Sequence, residues 1–287
     1  MEEIDVGAVV VVPGFEEYLA KLKYDYGYSR YDDVVTSVQF ERILSASGPF
    51  AGHVRKLSDG KEPKKIAFLQ CVGSRDISCH NGYCSSVCCM YAIKEAVIAK
   101  EHLKDVEVSI FFMDMRAFGK DFDKYYERAK SQYGVRFVRA RVSDVYKQNG
   151  DGQLTVQYTP ESGSVAEDQF DMVVLSVGLE AGEQQRDLAA KLGVRLDSHG
   201  FIWTNSLRPL ETSRPGVFVG GAASGPKDIP ETVTQASGTA SKAGRLLADV
   251  RDSLTTEREF PPEKDVTEQE PRIGVFVCHC GINIGGV

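Results

Sequence analysis

Apolar and polar positions fall along this chain in blocks of strand and helix length. "IDVGAVVVVPGFE" (4–16) reads as a buried strand running into a glycine turn. Residues 17–65 are polar and tyrosine-rich, with one helix expected over 37–47. From residue 66 the rhythm becomes regular. "KIAFLQCVGS" is strand-like with a glycine end, and "CCMYAIKEAVIAKEHL" (88–103) is helix-like, with Met90, Ile93 and Val97 on one face. "VEVSIFFMDM" (106–115) predicts a strand, "KDFDKYYERAKSQYG" (120–134) a helix closed by glycine, and "VRFVRARVSDVYKQ" (135–148) a third strand. "NGDG" (149–152) followed by "QLTVQYT" (153–159) predicts a hairpin, and "QFDMVVLSVGLEAG" (169–182) a further buried strand. This β-α-β-α-β alternation implies an α/β fold with a parallel sheet and right-handed crossovers.

The last third reads differently. "RPGVFVGGAASGPKDIPETVTQASGTASKAGRLL" (214–247) is strand, glycine-rich turn and small-residue helix. Residues 251–271 are charged and contain proline, as a linker would. "RIGVFVCHCGINIGGV" (272–287) opens on a new strand carrying Cys278 and Cys280, the start of a further module.

The totals narrow the picture. With 287 residues, 42% of them hydrophobic, the chain can build one large core or two smaller ones. No apolar run approaches the roughly 18 residues of a membrane-spanning helix, and no export leader is visible. A net charge of −7 argues against nucleic acid and anionic membranes as partners. Seven cysteines, five of them between 71 and 89, do not suit a secreted disulfide framework and point to a reduced cytoplasm.

Those five thiols are the chemistry to explain. Cys71 stands at a strand end. Cys84, Cys88 and Cys89 follow after a gap of twelve residues, at or just inside a helix start. Cys84 and Cys88 would share a helix face if the helix began that early, and a helix N-terminus favours thiolate over thiol. Four thiolates there suit an iron–sulfur cluster. The alternatives are small buried hydrophobes, structural zinc, whose paired CxxC signature is absent, and dithiol exchange, which also prefers CxxC. Cys79 falls outside the spacing and reads as a loop thiol. "CVGSRD" sits where a dinucleotide-binding unit places its phosphate loop, but G-x-G-x-x-G occurs nowhere in the chain. "GGAASGPK" (220–227) is no P-loop, because Pro226 precedes Lys227 and no Ser or Thr follows. The histidines at 53, 80, 102, 199 and 279 are scattered, as surface and packing residues are.

"AFLQCVGSRD…YCSSVCCMYAIKEA", "FFMDMRAFGKDFDKYYERA" and "GPKDIPETVTQASGTASKA" resemble the iron–sulfur flavoprotein subunit of heterodisulfide reductases. Flavoprotein subunits of quinone-interacting membrane-bound oxidoreductases are the near alternative. The resemblance covers about residues 4–250 and implies an α/β, thioredoxin-reductase-like core of two dinucleotide domains, truncated at the N-terminus. Residues 1–65 would be the tail of the first flavin half, 66–175 a nicotinamide-domain-like insertion and 176–250 the second flavin half. It implies a [4Fe–4S] cluster on Cys71, Cys84, Cys88 and Cys89, in the place of a nucleotide loop. It implies FAD beside Gly14, Gly178, Gly220, Gly221, Ala222, Ala223, Lys227, Asp228 and Ile229, with the FAD dinucleotide loop expected upstream of Met1. Ala222 stands where many relatives of the wider fold carry an aspartate on the ribityl chain. The N–H groups of Gly221 to Ala223 remain as phosphate donors at a helix start, a tight strand–helix turn being the other reading. Arg116 faces either the cofactor region or an ordinary ion pair.

The function implied is that of an oxidoreductase subunit passing electrons between FAD and the cluster, with the protein tuning the cofactors and no catalytic acid or base. Expected partners are other heterodisulfide-reductase-like subunits and ferredoxin or hydrogenase and dehydrogenase donors, with no nucleic acid, no membrane span and homodimerisation left open. The competing function is a zinc-stapled α/β interaction module without redox activity.

Overall fold

The structure, a computed structural model, describes residues 3–148 and 152–276. The centre of the 149–152 turn and the Cys278 and Cys280 strand lie outside the described residues. In chain order the elements are β1 (Val9–Val11), β2 (Glu16–Glu17), β3 (Val34–Thr36), α1 (Ser37–Leu44), β4 (Lys65–Val72), α2 (Cys88–His102), β5 (Glu107–Phe112) and α3 (Phe122–Ser131). There follow β6 (Arg136–Tyr146), β7 (Leu154–Pro160), β8 (Ala166–Phe170), β9 (Met172–Val177), β10 (Leu179–Glu180), α4 (Glu183–Leu192), β11 (Val217–Val219) and α5 (Ile229–Leu246).

The main sheet has seven strands in the order β3-β9-β4-β5-β6-β7-β8. Its first five strands run parallel, and β7 and β8 return antiparallel. The β-α-β-α-β strands are parallel as the alternation implied, and the hairpin expected after 149–152 adds the antiparallel edge, so the whole sheet is mixed. Both faces of the parallel part are covered, which is why β4 and β9 read as continuous apolar runs. Ile66 and Phe68 point to one side, against α1, α2 and Ala129 of α3. Ala67 and Leu69 point to the other, against Tyr18, Val142, Val156 and Phe170. Helix α1 starts on a capping box, with Thr36 and Gln39 each accepting the other's backbone amide. It buries Phe40, whose ring meets Phe68 edge-on at 5.5 Å.

The apolar run at 169–182 is not one strand. Asp171 interrupts it, because its carboxylate accepts the amides of Lys64 and Lys65 at 2.7 and 2.9 Å and fixes the start of β4. Residues 166–170 thus belong to the antiparallel edge and 172–177 to the parallel core.

A second, smaller unit is built from β1 and β11, paired in parallel with Val11 opposite Val219, and packed with α4 residues around Ala189 and Ala223. The expected buried strand near the start is only three residues long. Val10 and Val12 are 45% and 61% exposed, because β1 has β11 as its one neighbour in a two-stranded sheet. The two units are tied by the β2–β10 pair, by Tyr18 N–H donating to the Gly178 carbonyl, and by the Tyr83 ring against His199 and Phe201. Residues 255–276 are exposed and carry no helix or strand.

Candidate metal centre and the adjoining turn

The centre is built where β4 ends and α2 begins. The ladder between β4 and β9 slips between Leu69 and Val72, so Gln70 and Cys71 bulge out of register. A bulge re-aims the side chains it carries, and here Cys71 sits in the left-handed region with φ 60°. A non-glycine residue pays about 1–2 kcal/mol for that conformation, so the surrounding packing must hold it. Gly73 follows with φ 70° and lies flat against the Tyr18 ring, leaving no room for a Cβ.

The twelve-residue gap then folds back on itself. Arg75 N–H donates to the Tyr83 carbonyl at 2.8 Å, and Asp76 bridges Asn81. Two buried serines pin the return: Ser85 N–H donates to Ser74 Oγ at 3.0 Å, and Leu179 N–H donates to Ser85 Oγ at 2.9 Å. Cys84 is thereby returned to the level of Cys71. It lies in a loop, since α2 begins only at Cys88. The i,i+4 face that Cys84 and Cys88 would share in an earlier-starting helix does not form, because Ser86 at φ 63° turns the chain just before the helix starts at Cys88.

All four thiols lie within electrostatic reach of one another. None is in a disulfide. Burial pushes the Cys71 thiol up to about 11 and Cys88 up to about 12, and it raises Cys89 as well. The helix-terminus effect expected to favour thiolate is thus outweighed by desolvation at buried positions. The proximity of the other sulfurs adds to the rise. Cys71, Cys88 and Cys89 are thus held as thiols at neutral pH.

The donors that would compensate such charge are present. Ser86 N–H points at Cys84 Sγ at 3.3 Å, and Arg116 N–H at Cys89 Sγ at 3.5 Å. The Arg75 guanidinium favours the thiolate of Cys71, and Arg116 that of Cys89. Asp114 ion-pairs with Arg75 and lies 3.5 Å from Arg116. Among the described residues no three His, Cys, Asp or Glu side chains are arranged around a single metal ion. A four-iron cluster places one thiolate on each iron and so spreads its ligands more widely. Four unoxidised thiols, two buried and two half-buried, with converging N–H donors and a nearby cation, fit such a group by their chemistry. Cys79 sits apart in role: its Sγ is 3.2 Å from Tyr18 Oη on the opposite face of the sheet.

The residues expected around a flavin fall in two places. Gly14 and Gly220 to Ala223 leave the β1–β11 sheet at the same end. Gly178 is enclosed instead, where a Cβ would meet Ser85 Oγ at 2.7 Å and Ser74 Cβ at 2.9 Å. Gly221–Ser224 is a short 3-10 turn, and the helix starts only at Ile229. The expected helix dipole therefore does not reach Gly221, and its N–H is taken by Gln235 Oε1 at 2.9 Å. Lys227 Nζ donates to the Gly221 and Gly225 carbonyls and to Ser224 Oγ, and burial lowers its pKa. Asp228 caps α5 by accepting Glu231 N–H at 2.8 Å, and Ile229 is exposed. Ala223 is fully buried, and its carbonyl accepts Ile202 N–H and Gln185 Nε2.

Sequence reasoning singled out the cysteines and Arg116. It missed Arg75, Asp114, Tyr83 and the paired serines. The one available signal was the proximity of "SRD" and "MDMR" to strand ends.

The sequence profile of the pyridine nucleotide-disulphide oxidoreductases matches residues 81–240. A subunit of the "H(2):CoB-CoM heterodisulfide,ferredoxin reductase" of Methanothermobacter thermautotrophicus is 41% identical over 279 residues, which are 96% of this chain and 41% of that protein. A subunit of the "H(2)/formate:CoB-CoM heterodisulfide,ferredoxin reductase" of Methanococcus maripaludis is 44% identical over 241 residues, 83% of this chain and 37% of that protein. This chain thus spans about two fifths of the length of the curated relatives it matches. Among solved structures, T. acidophilum thioredoxin reductase shares the fold, with a TM-score of 0.53 at 18% identity over 86% of this chain and 66% of that one.

Proposed function

Because this chain belongs to the pyridine nucleotide-disulphide oxidoreductase family, we propose that it is an electron-carrying module working between FAD and a [4Fe–4S] cluster in a heterodisulfide-reductase-like assembly. The observation that carries this reading is the set of four unpaired cysteines, each within the others' electrostatic reach, at the start of α2. Cys71, Cys84, Cys88 and Cys89 would hold the cluster, which when bound supplies one-electron storage. The chain's own residues bind and orient. The bulge at Gln70 turns Cys71 toward the helix start, and the Asp76–Asn81 bridge returns Cys84 to it. Ser86 and Arg116 give amide donors to sulfur, and the buried position of Cys88 and Cys89 keeps water away.

FAD would lie where β1 and β11 end, against Gly14 and the 220–229 turn. Gly178 belongs to the packed joint between the two units rather than to an open pocket. In this reading residues 1–65 and 176–250 are flavin-binding parts and 66–175 the insertion that carries the cluster. Residues 251–271 are a linker, and 272–287 open a further module. Partners would be other members of the assembly and ferredoxin or a hydrogenase or dehydrogenase donor, in the cytoplasm. No helix among the described residues is long and apolar enough to cross a membrane.

Anaerobic loading with iron and sulfide tests the reading. A brown protein with equal iron and acid-labile sulfide, bleached by dithionite, is expected, and Cys84→Ser is expected to lose its iron. A colourless protein that binds zinc in preference would overturn it.

A further inference from the structure

The geometry points to Arg75 as the positioning residue that sets how readily the cysteine centre accepts an electron, with Asp114 holding the guanidinium in place and opposing its charge. This inference rests on the proposed cluster. Three charged residues stand at the thiols: Arg75 lines one small cavity with Cys71, Arg116 directs its N–H at Cys89 Sγ at 3.5 Å, and Asp114 pairs with both arginines. Arg75 is the cation set beside Cys71, sharing a cavity wall with it, Gln70 and Ser74. It is also the residue that closes the folded-back loop, through its own N–H to the Tyr83 carbonyl. Its side chain is three-quarters buried, so solvent screens it less than an exposed charge. Asp114 pairs with both arginines, which fixes the guanidinium beside Cys71.

An electron added to a cluster held by these thiols would make the centre more negative by one charge, with no bond formed or broken. A fixed guanidinium stabilises that added charge, and a fixed carboxylate disfavours it. Removing each therefore moves the equilibrium in opposite directions. A purely structural role for the pair predicts no such opposition.

The experiment is a dithionite titration, followed by electron paramagnetic resonance, of the iron-loaded full chain and three variants. Arg75→Gln is expected to lower the ratio of reduced to oxidised cluster about tenfold at a fixed potential, a shift of about 59 mV for one electron. Asp114→Asn, which keeps an acceptor for Arg75, is expected to raise the ratio by a similar factor. Arg75→Lys, which keeps the charge, is expected to lie close to the parent. Unchanged potentials, or shifts of the same sign in Arg75→Gln and Asp114→Asn with iron content intact, would overturn the inference. If Arg75→Gln does not retain iron, the sign of the Asp114→Asn shift decides alone. A parent chain that takes up no iron refutes the proposed cluster itself, a failure distinct from the other two.

Discussion

Single residues in this chain carry unequal electrostatic loads. Glu95 lies on α2 with 1% of its surface exposed and one carboxylate oxygen without a partner. Burial raises its pKa well above the ordinary 4.5. The folded chain keeps a proton that the unfolded chain gives up, so stability falls as pH rises above about 4.5. Glu95→Gln is expected to flatten that slope, with a higher melting temperature than the parent at pH 8 and no difference near pH 4, by calorimetry. Asp76 behaves in the opposite sense. Burial alone would raise it, but Lys23 and Ser78 outweigh burial and hold it at about 2, against an ordinary 3.8. Its folded pKa is depressed, so its stabilisation is complete above about pH 4 and is lost as pH falls through about 2. Asp76→Asn is expected to cost about 2 kcal/mol at pH 7 and nothing near pH 2, by urea unfolding at each pH. Cys79→Ser is expected to keep its iron, since Cys79 faces Tyr18. The cysteine spacing made the four thiols legible in the sequence. Arg75 and Asp114 were not, because they follow the ends of β4 and β5 and meet only through the register of a sheet.

At the scale of elements, the sequence pattern located α2, α3, β4, β5 and β6 because each is a block of the length of its own class bounded by turn residues. It failed where a side chain overrode the block. Asp171 fixes the start of β4 and splits an apolar run. It also read a helix start at Gly221, where the glycines form a 3-10 turn and Asp228 supplies the cap. That cap is testable: Asp228→Ala is expected to destabilise α5 by about 1 kcal/mol, measured as a lower denaturation midpoint.

At the scale of the whole molecule, the two units differ in completeness. The parallel part of the seven-stranded sheet is covered on both faces, whereas the β1–β11 pair exposes Val10 and Val12. With the Gly221 amide and the Lys227 ammonium engaged within the chain, this turn has few groups left for a pyrophosphate. Charge-assisted hydrogen bonds are worth about 1.5–3 kcal/mol each, so FAD is expected to bind this chain more weakly than about micromolar. A fluorescence-quenching titration measures it, and tight stoichiometric binding would count against the placement. Limited proteolysis is expected to cut within 255–270, where the chain is exposed and without helix or strand, before any cut appears in the sheet.

The bulge at Gln70 and Cys71 also governs which changes of length the chain can absorb. Deleting Gln70 would let β4 run in register with β9 to its end, drawing Cys71 into the ladder opposite Ser176 while Val72 kept its place opposite Val177. Cys71 would then be carried away from the helix start while its chemistry stayed intact. The exposed turn at 161–165 carries no such register, so one residue more or less there leaves the pairing of β7 with β8 free to adjust. Length variation in this fold is thus forbidden within a single residue of the thiols and permitted at the far edge of the same sheet.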